Sequence, residues 1–192
     1  MIERERELPW WAPDVLPYLE TILTKDMLAF EWGSGRSTQW VADRVKFLHT
    51  VESQKQWYDR VKGYLGNRNN VELHFVPFKG GGPCSKEEHP GRVQDPQHVA
   101  AYVAVMDEVA GKFDFIIIDG LAGQYRVEGL KKALTRLKPG GYLLFDNIQS
   151  QPYRSDVSKI GLYEWEHHRY ESPKGSEVGY TVTVVFKKPR KK

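Results

Sequence analysis

Two glycines and two acidic residues in the first third of the chain have the types and spacing of a nucleoside-binding pocket. A short apolar run over residues 27–30 is followed by the turn Glu31-Trp-Gly33-Ser-Gly35, and the next apolar run ends at Glu52, 19 residues after Gly33. Glycine lets the backbone approach a ligand closely, and a carboxylate at this distance can accept hydrogen bonds from both ribose hydroxyls. The sequence therefore predicts that a nucleoside binds between this turn and Glu52.

The position of the third glycine distinguishes between nucleoside ligands. Dinucleotide sites use the pattern G-x-G-x-x-G to bring a helix N-terminus onto a pyrophosphate, whereas Thr38 occupies the third position here. A turn that starts with an acid and keeps only two glycines suits a ligand with an ammonium and a sulfonium group, such as S-adenosylmethionine. Glu31-Trp-Gly33-Ser-Gly35 resembles the first motif, E/D-x-G-x-G, of the class I S-adenosylmethionine-dependent methyltransferases. For this motif alone, an ordinary strand-turn-helix in another α/β domain is an open alternative.

The resemblance implies a role for each residue of this segment. Glu31 and the backbone of the glycine turn would hold the methionine part of the cofactor, and Glu52 would accept both ribose hydroxyls. Ser37 and Thr38 either face the ligand or cap the following helix. The residues predicted to contact the cofactor are Glu31, Gly33, Ser34, Gly35, Ser37, Thr38, Glu52, Ser53 and Asp119.

Apolar residues alternate between strand-like and helix-like periods along the chain, which indicates a series of βαβ units. The predicted strands are 27–30, 47–51, 71–76, 113–118 and 141–145, and the predicted helices between them are 37–45, 54–65, 97–110 and 123–137. Two later segments with alternating side chains, 161–170 and 179–186, lie close enough in sequence to pair antiparallel.

The fold class that the resemblance implies is α/β. We expect a doubly wound, seven-stranded, mostly parallel sheet of the Rossmann-like methyltransferase type, in which the last strand is antiparallel and inserts beside the fifth. The resemblance covers roughly residues 27–187. Agreement between so many successive elements is stronger evidence than any single motif.

Two strand ends in the second half of the chain carry further acidic residues. The segment 113–120 ends in Asp119-Gly120, and the segment 137–147 ends in Asp146-Asn147. This pair resembles the small-molecule O-methyltransferases, in whose catechol and caffeoyl-coenzyme A branches the corresponding Asp, Asp and Asn bind a divalent ion. An all-oxygen set suits Mg²⁺, so Asp119, Asp146 and Asn147 are the metal candidates. The alternative is that Asp119 orients the cofactor and Asp146-Asn147 only turns the chain.

The candidate catalytic residues are Asp119 and Asp146. Transfer from a sulfonium requires positioning above all, because the sulfonium loses its charge during the reaction. Without a metal, Asp146 or a histidine from the sheet edge would take the proton of the acceptor. His167 and His168 are adjacent, so on a strand they point to opposite faces and cannot easily share an ion. We expect them, like His49, to pack within the sheet.

Contacts to the adenine and to the acceptor are less well defined by the sequence. The residues after the third predicted strand, 76–79, lack the acid that often contacts the adenine amino group, so backbone groups near Phe78, or Trp57 or Trp32, would have to replace it by hydrogen bonding or stacking. Packing between helix and sheet is the favoured interpretation for both tryptophans. The segment 124–126, Gln-Tyr-Arg, follows Asp119-Gly120 and either binds an anionic or hydroxylated substrate or forms an exposed helix start.

Composition limits the classes of function. The chain has 192 residues, 40% hydrophobic residues and one cysteine, Cys84, so it is expected to be a single domain without an internal disulfide. The absence of a long apolar run and of an apolar core in the charged N-terminus argues against a membrane span and a secretory signal. A cytoplasmic location is therefore expected.

The net charge of +3 depends on the basic tail 187–192, and without its five positive charges 23 basic residues face 25 acidic ones. A nucleic-acid partner is disfavoured for this reason.

Three segments fall outside the predicted series of strands and helices. Residues 1–26 are predicted to add an N-terminal helix, residues 79–96 to form a lid loop rich in glycine and proline, and residues 187–192 to be a solvated tail.

Taken together, the motifs predict an S-adenosylmethionine-dependent methyltransferase that acts on a hydroxyl of a small molecule. The alternatives are a cofactor-binding module without catalysis and, with less support, a nucleotide-sugar or dinucleotide enzyme. The acceptor and the oligomeric state are left open.

Overall fold

Strands and helices alternate along the chain in the order that the periodicity of apolar residues predicts. The structure is a computed structural model that describes residues 8–78, 95–150 and 153–190. The strands are β1 (Leu28–Trp32), β2 (Phe47–Glu52), β3 (Val71–Phe75), β4 (Phe113–Ile118), β5 (Leu137–Phe145), β6 (Glu166–Glu171) and β7 (Val182–Lys187). The helices are α1 (Val15–Ile22), α2 (Arg36–Ala42), α3 (Lys55–Leu65), α4 (Pro96–Glu108), α5 (Gln124–Arg136) and α6 (Tyr153–Lys159).

All seven strands form one sheet in the order β3-β2-β1-β4-β5-β7-β6. Strands β1 to β5 pair parallel, whereas β7 pairs antiparallel with both β5 and β6. This confirms the predicted fold class and the insertion of the last strand beside the fifth. The order reverses at β1 and β4, and ligands in such sheets bind outside the carboxyl ends of the strands at this point.

Helices cover both faces of the sheet, so the central strands are buried on both sides. On one face Phe30 and Ile116 pack with Tyr102 and Met106 of α4 and with residues of α5. On the other face the neighbouring residues of the same strands pack with α1, α2 and Trp11. Since both faces are filled with apolar side chains, the strand ends are left as the place for polar chemistry.

The boundary between α5 and β5 differs from the prediction. The helix ends at Arg136, and β5 starts at Leu137 rather than at the predicted residue 141. Backbone pairing explains the difference, because the Gly140 amide donates to the Lys188 carbonyl (2.8 Å) and the Lys188 amide donates to the Gly141 carbonyl (2.9 Å). The Pro-Gly-Gly segment is therefore held against the chain that leaves β7.

The second half of the chain holds two elements that the sequence did not predict. Helix α6 precedes the sixth strand, and a 3₁₀ turn over Leu162–Glu164 replaces the start of the predicted strand 161–170. The left-handed Gly161 (φ 77°) stands before this turn and prevents the strand from starting there.

The three segments outside the regular series have different outcomes. Helix α1 lies in the predicted N-terminal extension and buries Val15 and Leu19. Most of the predicted lid loop, 79–94, lies outside the described residues, and its last two residues cap and begin α4. The predicted tail is too long, since Lys187 belongs to β7 and the Lys188 ammonium donates to the carbonyls of Leu134 and Leu137. No helix in the described ranges is long and apolar enough to cross a bilayer.

Candidate functional site

A cleft of about 550 Å³ opens at the carboxyl ends of β1, β2, β4 and β5, where the strand order reverses. Its size is that of a small-molecule site. Most of the residues that line it follow directly after a strand. They are Gly33, Ser34, Gly35, Arg36, Ser37, Glu52, Gln54, Trp57, Tyr102, Asp119, Gly120, Leu121, Ala122, Arg126, Asp146, Asn147, Trp10, Glu177 and Val178.

The floor of the cleft depends on close contact between two glycines. The loop after β1 lies against the end of β4, and a Cβ atom built on Gly33 would come within 2.3 Å of the Gly120 Cα. Gly33 also has φ +97°, which side chains other than glycine rarely adopt. Its amide donates to the Val51 carbonyl (3.0 Å) and ties the loop to β2. Both sterics and backbone conformation therefore require glycine at position 33.

The Glu31 carboxylate supports this loop from behind. It is fully buried and accepts hydrogen bonds from the hydroxyls of Ser37, Thr38 (2.7 Å) and Thr50 (2.7 Å). Burial raises the pKa of Glu31 to about 7, against the opposing effect of the three hydroxyl donors. Glu31 does not line the cleft but supports the loop that does, and its contact with the methionine part stays a prediction.

Two further predicted cofactor residues also lie behind the surface of the cleft. Thr38 is completely buried, and its hydroxyl accepts from the Gly35 amide (2.9 Å) while it donates to Glu31. Ser53 is 3% exposed, and its amide donates to the Glu52 carboxylate (2.7 Å). Neither side chain lines the cleft. Their position indicates that they shape the site rather than contact a ligand.

Glu52 is held rigidly at one end of the cleft. Its Oε2 atom accepts from the Ser34 hydroxyl (2.9 Å), and its Oε1 atom accepts from the amides of Ser53 (2.7 Å) and Gln54 (2.8 Å). Burial raises the pKa of Glu52, although these donors stabilise the carboxylate. Each carboxylate oxygen has capacity for more than one hydrogen bond, so Glu52 can still accept hydrogen bonds from a ligand in the cleft.

Asp119 stands at the centre of the cleft, at the end of β4. Its Oδ2 atom accepts from the Trp11 indole (2.8 Å), and its Oδ1 atom lies 3.6 Å from the Arg126 guanidinium. Burial and the nearby Asp146 carboxylate both raise the pKa of Asp119, while Arg126 opposes the shift. About a fifth of the side chain (22%) is accessible. Asp119 is therefore more open to a ligand than the buried carboxylates of Glu52 and Asp146.

The Asp146 carboxylate is turned toward β7. Its Oδ1 atom accepts from the hydroxyls of Thr183 and Thr181 (3.1 Å), and Asp146 is only 2% exposed. Burial raises its pKa. The amide of Asn147, a residue with φ 52°, donates to the same Thr181 hydroxyl (2.7 Å).

These hydrogen bonds test the predicted Mg²⁺ site. A divalent ion needs several free oxygen atoms that converge on one point. Here Asp119 Oδ2 accepts from an indole and Asp146 Oδ1 accepts from two threonines, so each predicted carboxylate ligand already has an engaged oxygen. The three predicted ligands are brought close in space, but their donor set fits Mg²⁺ poorly. No catalytic step is therefore assigned to such an ion.

Arg126 has a structural role that the sequence did not indicate. It is 6% exposed, and its guanidinium donates to the carbonyls of Asp119 (2.9 Å), Gly120 (2.9 Å) and Asp146. The side chain thus fixes the ends of β4 and β5 to each other. Tyr125 is also buried, with its hydroxyl 2.8 Å from His98 Nδ1. The segment does begin helix α5 at Gln124, but Tyr125 and Arg126 are buried rather than exposed, and the binding of an anionic or hydroxylated substrate by this segment stays a prediction.

Two tryptophans form an aromatic wall at the cleft. Trp10 and Trp57 pack edge to face with ring centroids 5.6 Å apart, and the Arg36 guanidinium lies 4.8 Å from the Trp10 ring centroid. The sequence analysis favoured packing between helix and sheet for both Trp32 and Trp57. Trp32 does pack in the core and is 2% exposed, whereas Trp57 lines the cleft. Sequence reasoning missed Trp10 because only the folded chain brings the N-terminal segment to α3.

Gly35 provides open space in the turn. A Cβ atom built on it would meet no protein atom within 4 Å, although the residue lines the cleft. The turn therefore leaves room for an occupant beside the backbone at this point, as a cradle for a ligand requires.

The histidines proposed as alternative bases are elsewhere. His167 and His168 lie on β6, at the far edge of the sheet, and His98 is buried against Tyr125. Among the described residues, no histidine lines the cleft. A histidine from the sheet edge is therefore excluded as the base in this arrangement.

Comparison with known proteins agrees with the geometry. Residues 30–148 match a family model described as "Methyltransferase domain". No curated protein matches the chain. The matched segment covers the glycine turn and all the strand ends that form the cleft.

Solved structures of low sequence identity share the fold. An rRNA methylase from Streptococcus thermophilus is 17% identical, with 99% of each chain covered and a TM-score of 0.62. An O-methyltransferase from Bacillus cereus, in complex with S-adenosylhomocysteine, is 17% identical over 96% of this chain and 83% of that one, with a TM-score of 0.63. An N-methyltransferase from Bradyrhizobium japonicum is 11% identical over 93% and 94%, with a TM-score of 0.60. These similarities support the fold and not a particular acceptor.

The contact between Gly33 and Gly120 leads to a prediction about stability. We expect Gly33→Ala to lower the free energy of unfolding by at least about 3 kcal/mol, because the methyl group overlaps the Gly120 backbone and the residue keeps a positive φ. Gly35→Ala is the matched control, since it has φ 178° and free space, and it should change stability by less than about 1 kcal/mol. Urea unfolding measures both values. Equal stability of the two variants would contradict the packing argument.

Burial of Glu31 leads to a prediction about pH. The folded state binds a proton on Glu31 more tightly than the unfolded state, so this residue makes the free energy of unfolding fall as pH rises from about 4.5 to about 7. The contribution amounts to at most about 3 kcal/mol. Glu31→Gln should flatten the pH profile of urea unfolding between pH 5 and 8, whereas Glu128→Gln on the exposed face of α5 should not. An unchanged slope in Glu31→Gln would show that burial does not raise the pKa of this group.

Proposed function

This chain belongs to the class I S-adenosylmethionine-dependent methyltransferases, and we propose that it transfers the methyl group to a hydroxyl of a small molecule. The observation that carries the proposal is the cleft at the reversal of strand order, with Glu52 at one end and Asp119 in its middle. A cytoplasmic location is part of the same proposal and is not required by its chemistry.

The cofactor is proposed to lie across the ends of β1, β2 and β4. Glu52 would accept hydrogen bonds from the two ribose hydroxyls, because its carboxylate is fixed by Ser34 and by two backbone amides at the edge of the cleft. The methionine part would lie against the backbone between Gly33 and Gly35, where the open space beside Gly35 supports a close approach. The Asp119 carboxylate would face the positive charges of this part.

The adenine is proposed to bind beside Trp57. This ring lines the cleft five residues after Glu52, and Gln54 lies between them as a possible hydrogen-bonding partner. Aromatic side chains offer a flat apolar surface to a base. Such a contact would replace the acidic residue that the chain lacks after β3.

S-adenosylmethionine supplies a methyl group on a sulfonium, which becomes a neutral thioether when the acceptor oxygen forms its bond to the methyl carbon. The contribution of the protein is then to align the acceptor and to receive its proton. Asp119 is the better of the two candidate bases, because within the described residues its Oδ1 atom accepts no hydrogen bond, whereas Asp146 is held by Thr181 and Thr183. A raised pKa suits a base that works near neutral pH. Asp146 is assigned a positioning role.

A small molecule is favoured over a nucleic acid by the charge of the cleft. Its lining has four acidic side chains, Glu52, Asp119, Asp146 and Glu177, and two basic ones, Arg36 and Arg126. The guanidinium of Arg126 is already engaged by backbone carbonyls. Phosphate groups would be repelled by such a surface, because binding to nucleic acid depends on basic side chains that neutralise the phosphates.

Calorimetry tests the cofactor site. We expect S-adenosylmethionine and S-adenosylhomocysteine to bind and NAD not to bind. Glu52→Gln should weaken both affinities by about 10- to 100-fold, the value of a charge-assisted hydrogen bond. Gly35→Ala should also weaken them, because the added methyl group occupies the open space of the turn.

Two control variants belong to this experiment. Glu108→Gln is the control for Glu52→Gln, because Glu108 is exposed on α4 away from the cleft. Gly63→Ala is the control for Gly35→Ala, because Gly63 of α3 has open space around its Cα atom. Both controls should bind the two sulfur compounds as the unaltered protein does. Absence of heat with both sulfur compounds would refute the proposed cofactor site. Binding of NAD in their place would indicate the dinucleotide alternative.

The pH dependence of turnover tests the base. With a hydroxylated acceptor found by screening, kcat/KM should rise as pH increases above neutrality, since Asp119 must lose a proton whose pKa is raised in the free enzyme. Asp119→Asn should lower kcat by at least about 100-fold and abolish this rise. EDTA should leave the rate unchanged, because the donor set fits Mg²⁺ poorly.

Two outcomes would contradict this mechanism. An Asp119→Asn variant that keeps the pH profile would assign the proton to another group. Tight cofactor binding without turnover over a broad panel of hydroxyl, amine and RNA acceptors would favour the binding module without catalysis.

A further inference from the structure

A second group of ligating side chains lies away from the cleft, on strands β2 and β3. His49 of β2 is the register partner of Glu72 of β3, and His74 follows two residues later on the same face of β3. One ligand atom from each of the three residues lies within 4.8 Å of the other two. Among the described residues this is the one such group of three histidine, cysteine or acidic side chains.

The two imidazoles each direct one nitrogen to the same carboxylate oxygen. His49 Nδ1 lies 3.0 Å and His74 Nε2 lies 3.8 Å from Glu72 Oε2. Both nitrogens are buried. His49 Nδ1 is within hydrogen-bond distance of the carboxylate, whereas His74 Nε2 has no hydrogen-bond partner within the described structure, a cost that a bound ligand would remove.

The spacing is that of ligands around one ion. Zinc binds histidine nitrogen and carboxylate oxygen at about 2.0–2.2 Å in a tetrahedral arrangement, which places neighbouring ligand atoms about 3.3–3.5 Å apart. The observed separations of 3.0 and 3.8 Å lie on either side of this value. The ligand atoms of His49 and His74 lie within 4.8 Å of each other, so coordination requires side-chain rotations that close the group around the ion.

The surroundings favour a fixed ligand set. The His49 ring lies 4.9 Å from the ring of Phe47 and 6.1 Å from that of Phe113, by their centroids. All three residues stand on paired strands, which are more rigid supports than loops.

We propose that His49, Glu72 and His74 form a binding site for a zinc-like divalent ion, which ties the edge strand β3 to β2. Nitrogen and oxygen ligands in this number suit Zn²⁺ and its neighbours in the first transition row rather than Mg²⁺ or Ca²⁺. Three protein ligands leave one coordination position for water, and Glu72, with its side chain 55% exposed, lies at the solvent side. The ion would stabilise the folded chain, because the unfolded chain does not hold the three ligands together.

Titration of the full-length, tag-free protein with ZnCl₂ after removal of metals by a chelator tests the proposal. Calorimetry should give one site with a dissociation constant of about 1 μM or below, and saturation should raise the midpoint of thermal unfolding. Glu72→Gln and His74→Gln should each weaken binding at least 10-fold and lose most of the thermal shift. Glu72 is half exposed, so its variant should keep the fold even where His74→Gln does not.

The chain offers a matched control on the opposite edge of the sheet. His168 of β6 lies 3.8 Å from Glu166, but this pair lacks a third ligand among the described residues. His168→Gln should bind Zn²⁺ as the unaltered protein does. Cys84→Ser should also retain binding, which separates the proposed site from a thiolate site. Equal affinity in Glu72→Gln, loss of binding in Cys84→Ser, or no binding by the unaltered protein would each overturn the proposal.

Discussion

The cleft exists because two backbone segments approach each other more closely than side chains would allow. Gly33 lies on Gly120, so the loop after β1 and the end of β4 together form a surface without side chains, on which a ligand can rest. The Tyr102 hydroxyl restricts the same place, since a Cβ atom on Gly120 would come within 2.2 Å of it. Every other feature of the site is arranged around this contact. Glu52 closes one end through its hydrogen bond to Ser34, and Arg126 fixes the Gly120 carbonyl from the other side.

The position of the loop is maintained by a buried carboxylate at a cost in stability. Glu31 is completely removed from solvent, and a raised pKa is the measure of the unfavourable desolvation. Three hydroxyls offset part of this cost and connect β1, β2 and α2 through one side chain. An apolar residue of similar size would pack without this cost, but it would not fix the positions of Ser37 and Thr38 in the first turn of α2. The carboxylate thus favours one loop conformation over others at the expense of free energy.

The sequence predicted those parts of the molecule that depend on neighbouring residues in the chain. Alternating periods identified the strands and helices, and the glycine turn with Glu52 identified the end of the sheet at which the cleft lies. Predictions failed where distant segments decide the structure. Trp11 binds Asp119 across 108 residues and Asp146 is held by Thr183, so the sequence could not show that both carboxylates are engaged.

Trp57 was assigned to packing because its partner Trp10 belongs to the N-terminal segment. The start of β5 was misplaced because Gly140 pairs with Lys188, 48 positions further on.

The division between local and distant contacts also separates the two ends of the cleft. The end proposed for the cofactor is built by residues 31–57, Trp10 and the end of β4, whereas the other end collects Asn147, Glu177 and Val178 from later segments. One hydroxyl connects three distant parts of the chain, since Thr183 accepts from the Ala12 amide (3.0 Å) and donates to Asp146. The N-terminal segment, β7 and the end of β5 are thereby held as one unit. A substitution in the N-terminal segment can therefore change the positions of Asp119 and Asp146 while the glycine turn and Glu52 keep their geometry.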